Sequence, residues 1–256
     1  MTAATNGPVL ALSNIRKSFG GIRALNDVSI AVPEGRIVGV IGPNGAGKTT
    51  LFNVITGAYR SDSGSIVLAG QVVTGWPSHR IVQAGVARTF QNIRLFSSMT
   101  VWEHLLVAQP RQGLSLRTVL PVGWGNAAAM ARAEEALGFF GLERYRHAIA
   151  RTLPYGIQRK VEMARALTAD PKVLLLDEPV AGMNHDEAED LRTLLIKLNR
   201  RGLSILLIEH DMTFVMTLCH DLFVLDFGAV IAAGPPDTVR TDPVVLDAYL
   251  GTEDPC

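Results

Sequence analysis

Hydrophobic and polar positions divide the chain into stretches of different period. Val9–Arg16 and Val28–Val32 alternate apolar with polar residues, the two-residue period of half-buried strands. Arg36–Ile41 is a more continuous apolar run that ends in glycines, and Lys48–Thr56 follows it as a helix. Ser65–Leu68 and Val86–Phe90 are expected as further strands. From Val173 onward strands and helices alternate again, which predicts a mixed, mainly parallel sheet covered by helices. The middle differs. Val101–Ala108 and Asn126–Gly141 have helical character and flank a looser segment, Gln109–Gly125. A helical subdomain is therefore expected at 93–153, inserted into a core formed by 8–92 and 154–256, the whole being one domain from 8 to 256.

Composition narrows the classes open to such a chain. Its 256 residues are 48% hydrophobic, enough for a substantial core. Lys plus Arg equals Asp plus Glu at 24 each, so bulk charge gives no support to a nucleic-acid footprint. The longest apolar stretches, Val173–Leu176 and Ile205–Ile208, are strand-sized, whereas a membrane-crossing helix needs roughly 20 apolar residues. Met1–Leu12 lacks the positive flank and apolar block of a secretory signal. Membrane association is thus expected only through another protein. Cys219 and Cys256 are expected to be unpaired thiols in a reducing compartment. No Cys/His cluster has metal-ligand spacing.

Two motifs carry chemistry. Gly42-Pro-Asn-Gly-Ala-Gly-Lys-Thr49 fits G-x-x-x-x-G-K-[ST] between an apolar strand and a helix. Gly42, Gly45 and Gly47 let the backbone curl so that its N–H groups face phosphate oxygens, and Pro43, Asn44 and Ala46 complete the cradle. The helix starting near Lys48 adds the positive end of its dipole. Lys48 supplies a point charge for the β- and γ-phosphates, Thr49 a hydroxyl for Mg²⁺, and Thr50 a hydroxyl at the α-phosphate. This predicts a P-loop nucleotide binder.

The second motif, Lys172-Val-Leu-Leu-Leu-Asp-Glu-Pro179, reads as a strand buried on both faces that ends in two acids. Such acids face the crevice where open α/β sheets bind ligands. Asp177 is suited to hold Mg²⁺ through water, and Glu178 to polarise the attacking water as general base. His210 follows another apolar strand, Leu203–Glu209, and is placed to hydrogen-bond a γ-phosphate and hold water in line with Glu178.

Taken together, these motifs resemble the ABC transporter ATPases over nearly the whole chain. The resemblance implies a P-loop NTPase core with N-terminal antiparallel strands and an inserted helical subdomain. It also implies a role for Gln91, in Thr-Phe-Gln-Asn92, as a Q-loop residue that senses Mg²⁺ and the γ-phosphate. Leu153-Pro-Tyr-Gly-Ile-Gln158 stands where the family has LSGGQ, ahead of a helix expected over Gln158–Ala169. Tyr155 and Gly156 are thereby candidates for gripping ATP held by a partner subunit. Ala181-Gly-Met-Asn184 matches the D-loop, Ile208–Met212 the H-loop, and Phe19 the position of an aromatic ring against adenine. The signature departs from the family at Pro154, which offers neither hydroxyl nor N–H. That departure leaves open a weaker dimer closure or a degenerate composite site.

Finer details look like the ATPases of branched-chain amino-acid importers: Ala87–Phe96, Met99–His104, Leu-x-Tyr-Gly, and Asp247-Ala-Tyr-Leu-Gly251. The resemblance implies the first of two different ATPases, a homodimer being the alternative. It further implies transmembrane permease subunits, a periplasmic or extracellular solute-binding protein, no nucleic acid, and a peripheral place on the cytoplasmic face of the inner membrane. Asn92–Phe96 is the expected contact with the membrane subunit, with Phe96 favoured and Leu95 equally consistent with internal packing. Related urea or amide importers, other amino-acid importers and soluble ABC ATPases remain alternatives. The single short cassette lacks the coiled-coil insertion or tandem repeat of the soluble kind. Asp226-Phe-Gly228 falls in an expected hairpin, Val224–Ala233, without the other kinase motifs.

Overall fold

In a computed structural model the described residues are 7–109 and 127–250. Apart from Gln109, the expected loose segment Gln109–Gly125 lies outside them, as do Asn126, Gly251 and Cys256. The chain divides into two compact units, one holding the residues up to Arg88 together with those from Lys172 onward, the other Thr89–Pro171.

The first unit contains two sheets. Strands β1 (Leu10–Phe19), β2 (Ile22–Val32), β4 (Ser63–Leu68) and β5 (Gln71–Val72) form an antiparallel sheet in the order β2-β1-β4-β5. The second sheet runs β10 (Ala229–Gly234), β9 (Asp221–Asp226), β3 (Ile37–Ile41), β8 (Ser204–Ile208), β7 (Val173–Asp177), β6 (Val86–Arg88). Its neighbours pair in parallel except β9 and β10, which form a hairpin. Every residue of β3, β7 and β8 is buried, so their unbroken aliphatic runs follow from cover on both faces.

Several boundaries differ from the sequence expectation. Strand β2 begins six residues before Val28, because Ile22 to Leu25 still pair with the end of β1 although Ile22 and Arg23 face solvent. Local alternation cannot reveal a strand whose outer end has no buried face. Helix α1 (Lys48–Ile55) starts at the expected residue and buries Leu51, Phe52, Val54 and Ile55. Helix α2 (Ser78–Ala84), too short to carry a clear period, precedes β6.

The second unit packs α3 (Val101–Val107), α4 (Ala127–Phe140) and α5 (Tyr155–Leu167) against one another. Helix α3 carries a reciprocal cap, with Thr100 accepting from the Glu103 N–H and Glu103 accepting from the Thr100 N–H. Helix α5 starts three residues earlier than expected, since Pro154 serves as its N-cap with ψ 151°. Proline tolerates a helix start, so the motif after Leu153 becomes the first turn of the helix.

The remaining helices belong to the first unit: α6 (His185–Arg200), α7 (Met212–Leu218), α8 (Pro236–Arg240) and α9 (Pro243–Leu250). Asn184 caps α6 in a second reciprocal pair with Glu187. Cys219 is an unpaired buried thiol whose pKa burial pushes up, so it is held as the neutral thiol.

Leu175, in the middle of β7, is fully buried in the main core. Leu175→Ala is expected to cost about 2–5 kcal/mol of stability, read from urea unfolding midpoints.

Candidate functional site

Three neighbouring parallel strands, β3, β8 and β7, end at the same edge of the sheet. The loops that follow them begin with Gly42, Glu209 and Glu178, so the sheet itself gathers residues far apart in sequence. This is the edge where open α/β sheets bind ligands.

The loop after β3 is shaped by contacts that exclude side chains. Gly42 has φ +145°, and a Cβ there would lie 1.9 Å from the Leu225 carbonyl oxygen. Gly47 has φ +103°, and its Cβ would lie 2.4 Å from the Ala24 carbonyl oxygen. Glycine is required at both. The turn between β9 and β10 braces the loop: the Gly228 N–H donates to the Ala46 carbonyl at 3.0 Å, and the Asn26 N–H to the Gly228 carbonyl at 2.7 Å. Within the loop, Pro43 and Lys48 are half-buried, Asn44 and Gly45 exposed and Ala46 buried. In α1, Thr49 is exposed and Thr50 half-buried.

Lys48 Nζ donates to the carbonyls of Gly42 at 2.7 Å and Pro43 at 2.8 Å. Burial lowers the Lys48 pKa, and the nearby Glu178 carboxylate opposes that shift. The residue proposed for the phosphates and the residue proposed for the water therefore share one electrostatic neighbourhood. His210 Nδ1 lies 3.8 Å from Glu178 Oε2, with the imidazole largely exposed. Glu178 itself has φ 45°, a left-handed conformation uncommon outside glycine. Its N–H donates to the Ile208 carbonyl at 2.9 Å, extending the β7–β8 ladder by one rung.

Asp177 is nearly buried and takes one hydrogen bond that the sequence did not announce. Arg88, at the end of β6, donates through Nη2 to Asp177 Oδ2 at 2.7 Å and through Nη1 to Asn53 Oδ1 at 2.7 Å. Each member of the ion pair has a side chain only 9% exposed. Glu209 was also missed. It is fully buried, and its carboxylate accepts from backbone N–H groups of both strand-end loops. The available signal was a charged residue closing an otherwise apolar strand.

Phe19 ends β1, packs edge-on against Tyr59 at 5.1 Å and is 42% exposed, a ring with area left for a planar partner. Gln91, Tyr155 and Gly156 belong to the other compact unit. There Arg159, fully buried, donates to the carbonyls of Phe90 at 2.7 Å and Gln91 at 2.9 Å, and pairs with Glu162 at 2.9 Å. It also reaches the Tyr155 hydroxyl at 3.3 Å, while Gly156 is buried in the first turn of α5. Phe96 is exposed, whereas Ile93 and Leu95 are half-buried. The Phe96 N–H donates to His104 Nε2 at 2.9 Å, which fixes this segment's backbone.

A sequence profile described as "ABC transporter" matches residues 25–181, more than half of the chain. The chain belongs to the ABC transporter family. Residues 229–255 of the cassette match a second profile, "Branched-chain amino acid ATP-binding cassette transporter". The cassette is 44% identical to the high-affinity branched-chain amino acid transport ATP-binding protein BraF of Pseudomonas aeruginosa, over 95% of this chain and 98% of BraF. Among solved structures it is similar to the ADP conformation of MJ1267, an ATP-binding cassette of an ABC transporter. That likeness has a TM-score of 0.85 and 33% identity, covering 96% of this chain and 100% of the other. It is also similar to the dimeric post-hydrolysis state of the cassette MJ0796 bound to ADP and Pi, with a TM-score of 0.73, 25% identity, and 89% and 98% of the two chains covered. The cassette binds and hydrolyses ATP.

The buried Arg88–Asp177 pair can be tested by removing one member. Arg88→Ala leaves the Asp177 carboxylate without its partner and is expected to cost about 3–5 kcal/mol. Urea unfolding of the variant is the check, and an unchanged midpoint would show that the pair bears no load.

Proposed function

We propose that the cassette is the first of two ATPases in an importer of branched-chain amino acids, working at the cytoplasmic face of the inner membrane. The match of residues 229–255 to a profile specific for branched-chain amino-acid cassettes is the observation that carries this reading. The similarity to BraF over nearly the full length of both chains supports it. Among the described residues no helix is long and apolar enough to cross a membrane, so permease subunits would supply the pathway. Phe96, exposed beside a backbone pinned by His104, is the candidate contact with them. The dimeric MJ0796 structure supports closure onto a second cassette, which in this reading is a different chain.

In the proposed site the phosphates lie against Gly42–Thr50, with the adenine on Phe19. Lys48, now donating to two loop carbonyls, transfers its N–H donors to the β- and γ-phosphates. Thr49 and Asp177 offer a hydroxyl and a carboxylate, the hard oxygen donors that suit Mg²⁺, and Gln91 is the third proposed ligand. Among the described residues no cluster of three or more His, Cys, Asp or Glu side chains can hold a metal. When bound, Mg²⁺ neutralises charge on the phosphates. Glu178 takes the proton of the attacking water, and His210, within 3.8 Å of it, orients water and γ-phosphate. Tyr155 and Gly156, in the first turn of α5, would meet the ATP of the partner cassette through the positive end of that helix.

Glu178→Gln is expected to retain ATP binding and lower steady-state ATPase by about 10²–10⁴-fold. Unchanged turnover in the assembled complex would remove Glu178 from the role of base. For the cargo, the solute-binding protein that co-purifies with the complex is the object to test. Leucine, isoleucine and valine should bind it and stimulate ATPase in proteoliposomes, whereas stimulation by urea or short amides alone would reassign the transporter.

A further inference from the structure

We propose that Glu209 is a positioning residue for hydrolysis, a side chain that clasps the Glu178 loop to the His210 loop. The inference rests on the roles proposed above for Glu178 and His210. Strands β7 and β8 pair as far as Asp177 and Ile208, and the Glu178 N–H adds one more bond to the Ile208 carbonyl. Beyond that rung the two chains diverge, one toward Val180 and the other toward His210. The Glu209 carboxylate spans the gap. Oε1 accepts the Val180 N–H at 3.0 Å, and Oε2 accepts the N–H groups of His210 at 3.0 Å and Asp211 at 3.4 Å. The carboxylate thus continues the sheet's hydrogen bonding where the backbone can no longer do so.

Three features argue for positioning over simple packing. The side chain is fully buried, where a hydrocarbon would fill the same space without the cost of desolvating a carboxylate. Its acceptors are divided between the two loops that carry the hydrolytic residues. Glu178, at the start of one of these loops, has a left-handed backbone conformation, a state that persists only when its surroundings over-determine it. The ladder bond holds its amino side, and Ala181 donates to its carbonyl at 3.2 Å. The bond from Val180 to Glu209 fixes the residues just beyond. His210 Nδ1 lies 3.8 Å from Oε2 of both Glu178 and Glu209, so the imidazole is placed against the clasp and the base together.

The test is Glu209→Gln, which keeps length and shape but turns one acceptor into a donor facing an N–H. ATPase turnover of the assembled complex and ATP affinity are measured together, with turnover normalised to nucleotide-binding sites. The expected result is a loss of kcat on the order of 10–100-fold, with the ATP Kd within about 2-fold of the native value. Glu209→Ala, which removes the clasp altogether, should lose at least as much kcat among the molecules that still bind ATP. A lowered melting temperature with native kcat per binding site would overturn the proposal and leave Glu209 a packing residue. A parallel loss of ATP affinity would also overturn it. Glu178→Gln measured alongside separates the clasp from the reading beneath it. Full activity of that variant removes the base assignment and the proposal with it, whereas its inactivity beside an unimpaired Glu209→Gln removes the clasp alone.

Discussion

Where buried parallel strands end, their last backbone polar groups must find partners without much help from water, and the site is built around that requirement. β3, β8 and β7 lie side by side and stop at one edge. At the end of β3 two carbonyls of the following loop are satisfied by Lys48. Past β7 and β8, N–H groups are satisfied by Glu209. The same side chains that complete this accounting are charged, so satisfying the backbone also lays down the electrostatic pattern of the edge.

Two of the charges at this edge also meet a charged counterpart. Arg88 sits on Asp177, and Glu178 acts on Lys48 from across the edge. In a partly buried site these interactions are screened less than at a free surface. Nucleotide phosphates offer Lys48 stronger acceptors than neutral carbonyls. In the proposed site, ligand entry would be an exchange of partners at Lys48 within a frame already held by the sheet.

Much of the fold was legible because both strand classes have distinct periods. The continuous apolar runs of β3, β7 and β8 follow from double cover, and the P-loop glycines follow from backbone approaches that no Cβ tolerates. The parts that were not legible depend on partners distant in sequence. Arg88 and Asp177 are far apart along the chain and meet because β6 and β7 pair. Glu209 is visible as an acid closing an apolar strand, but its purpose appears only once Val180 is seen beside it. The start of α5 was misplaced because a tyrosine and a glycine after a proline resemble a loop until the proline is recognised as a cap.

Arg159 has a mechanical consequence. With no exposed surface, this residue of α5 bonds the carbonyls of both Phe90 and Gln91 and pairs with Glu162 in its own helix. Bonds to backbone leave less slack than bonds to flexible side chains. The backbone at Gln91 is thereby tied to α5 through main-chain atoms, as in a linkage whose pins fit their holes.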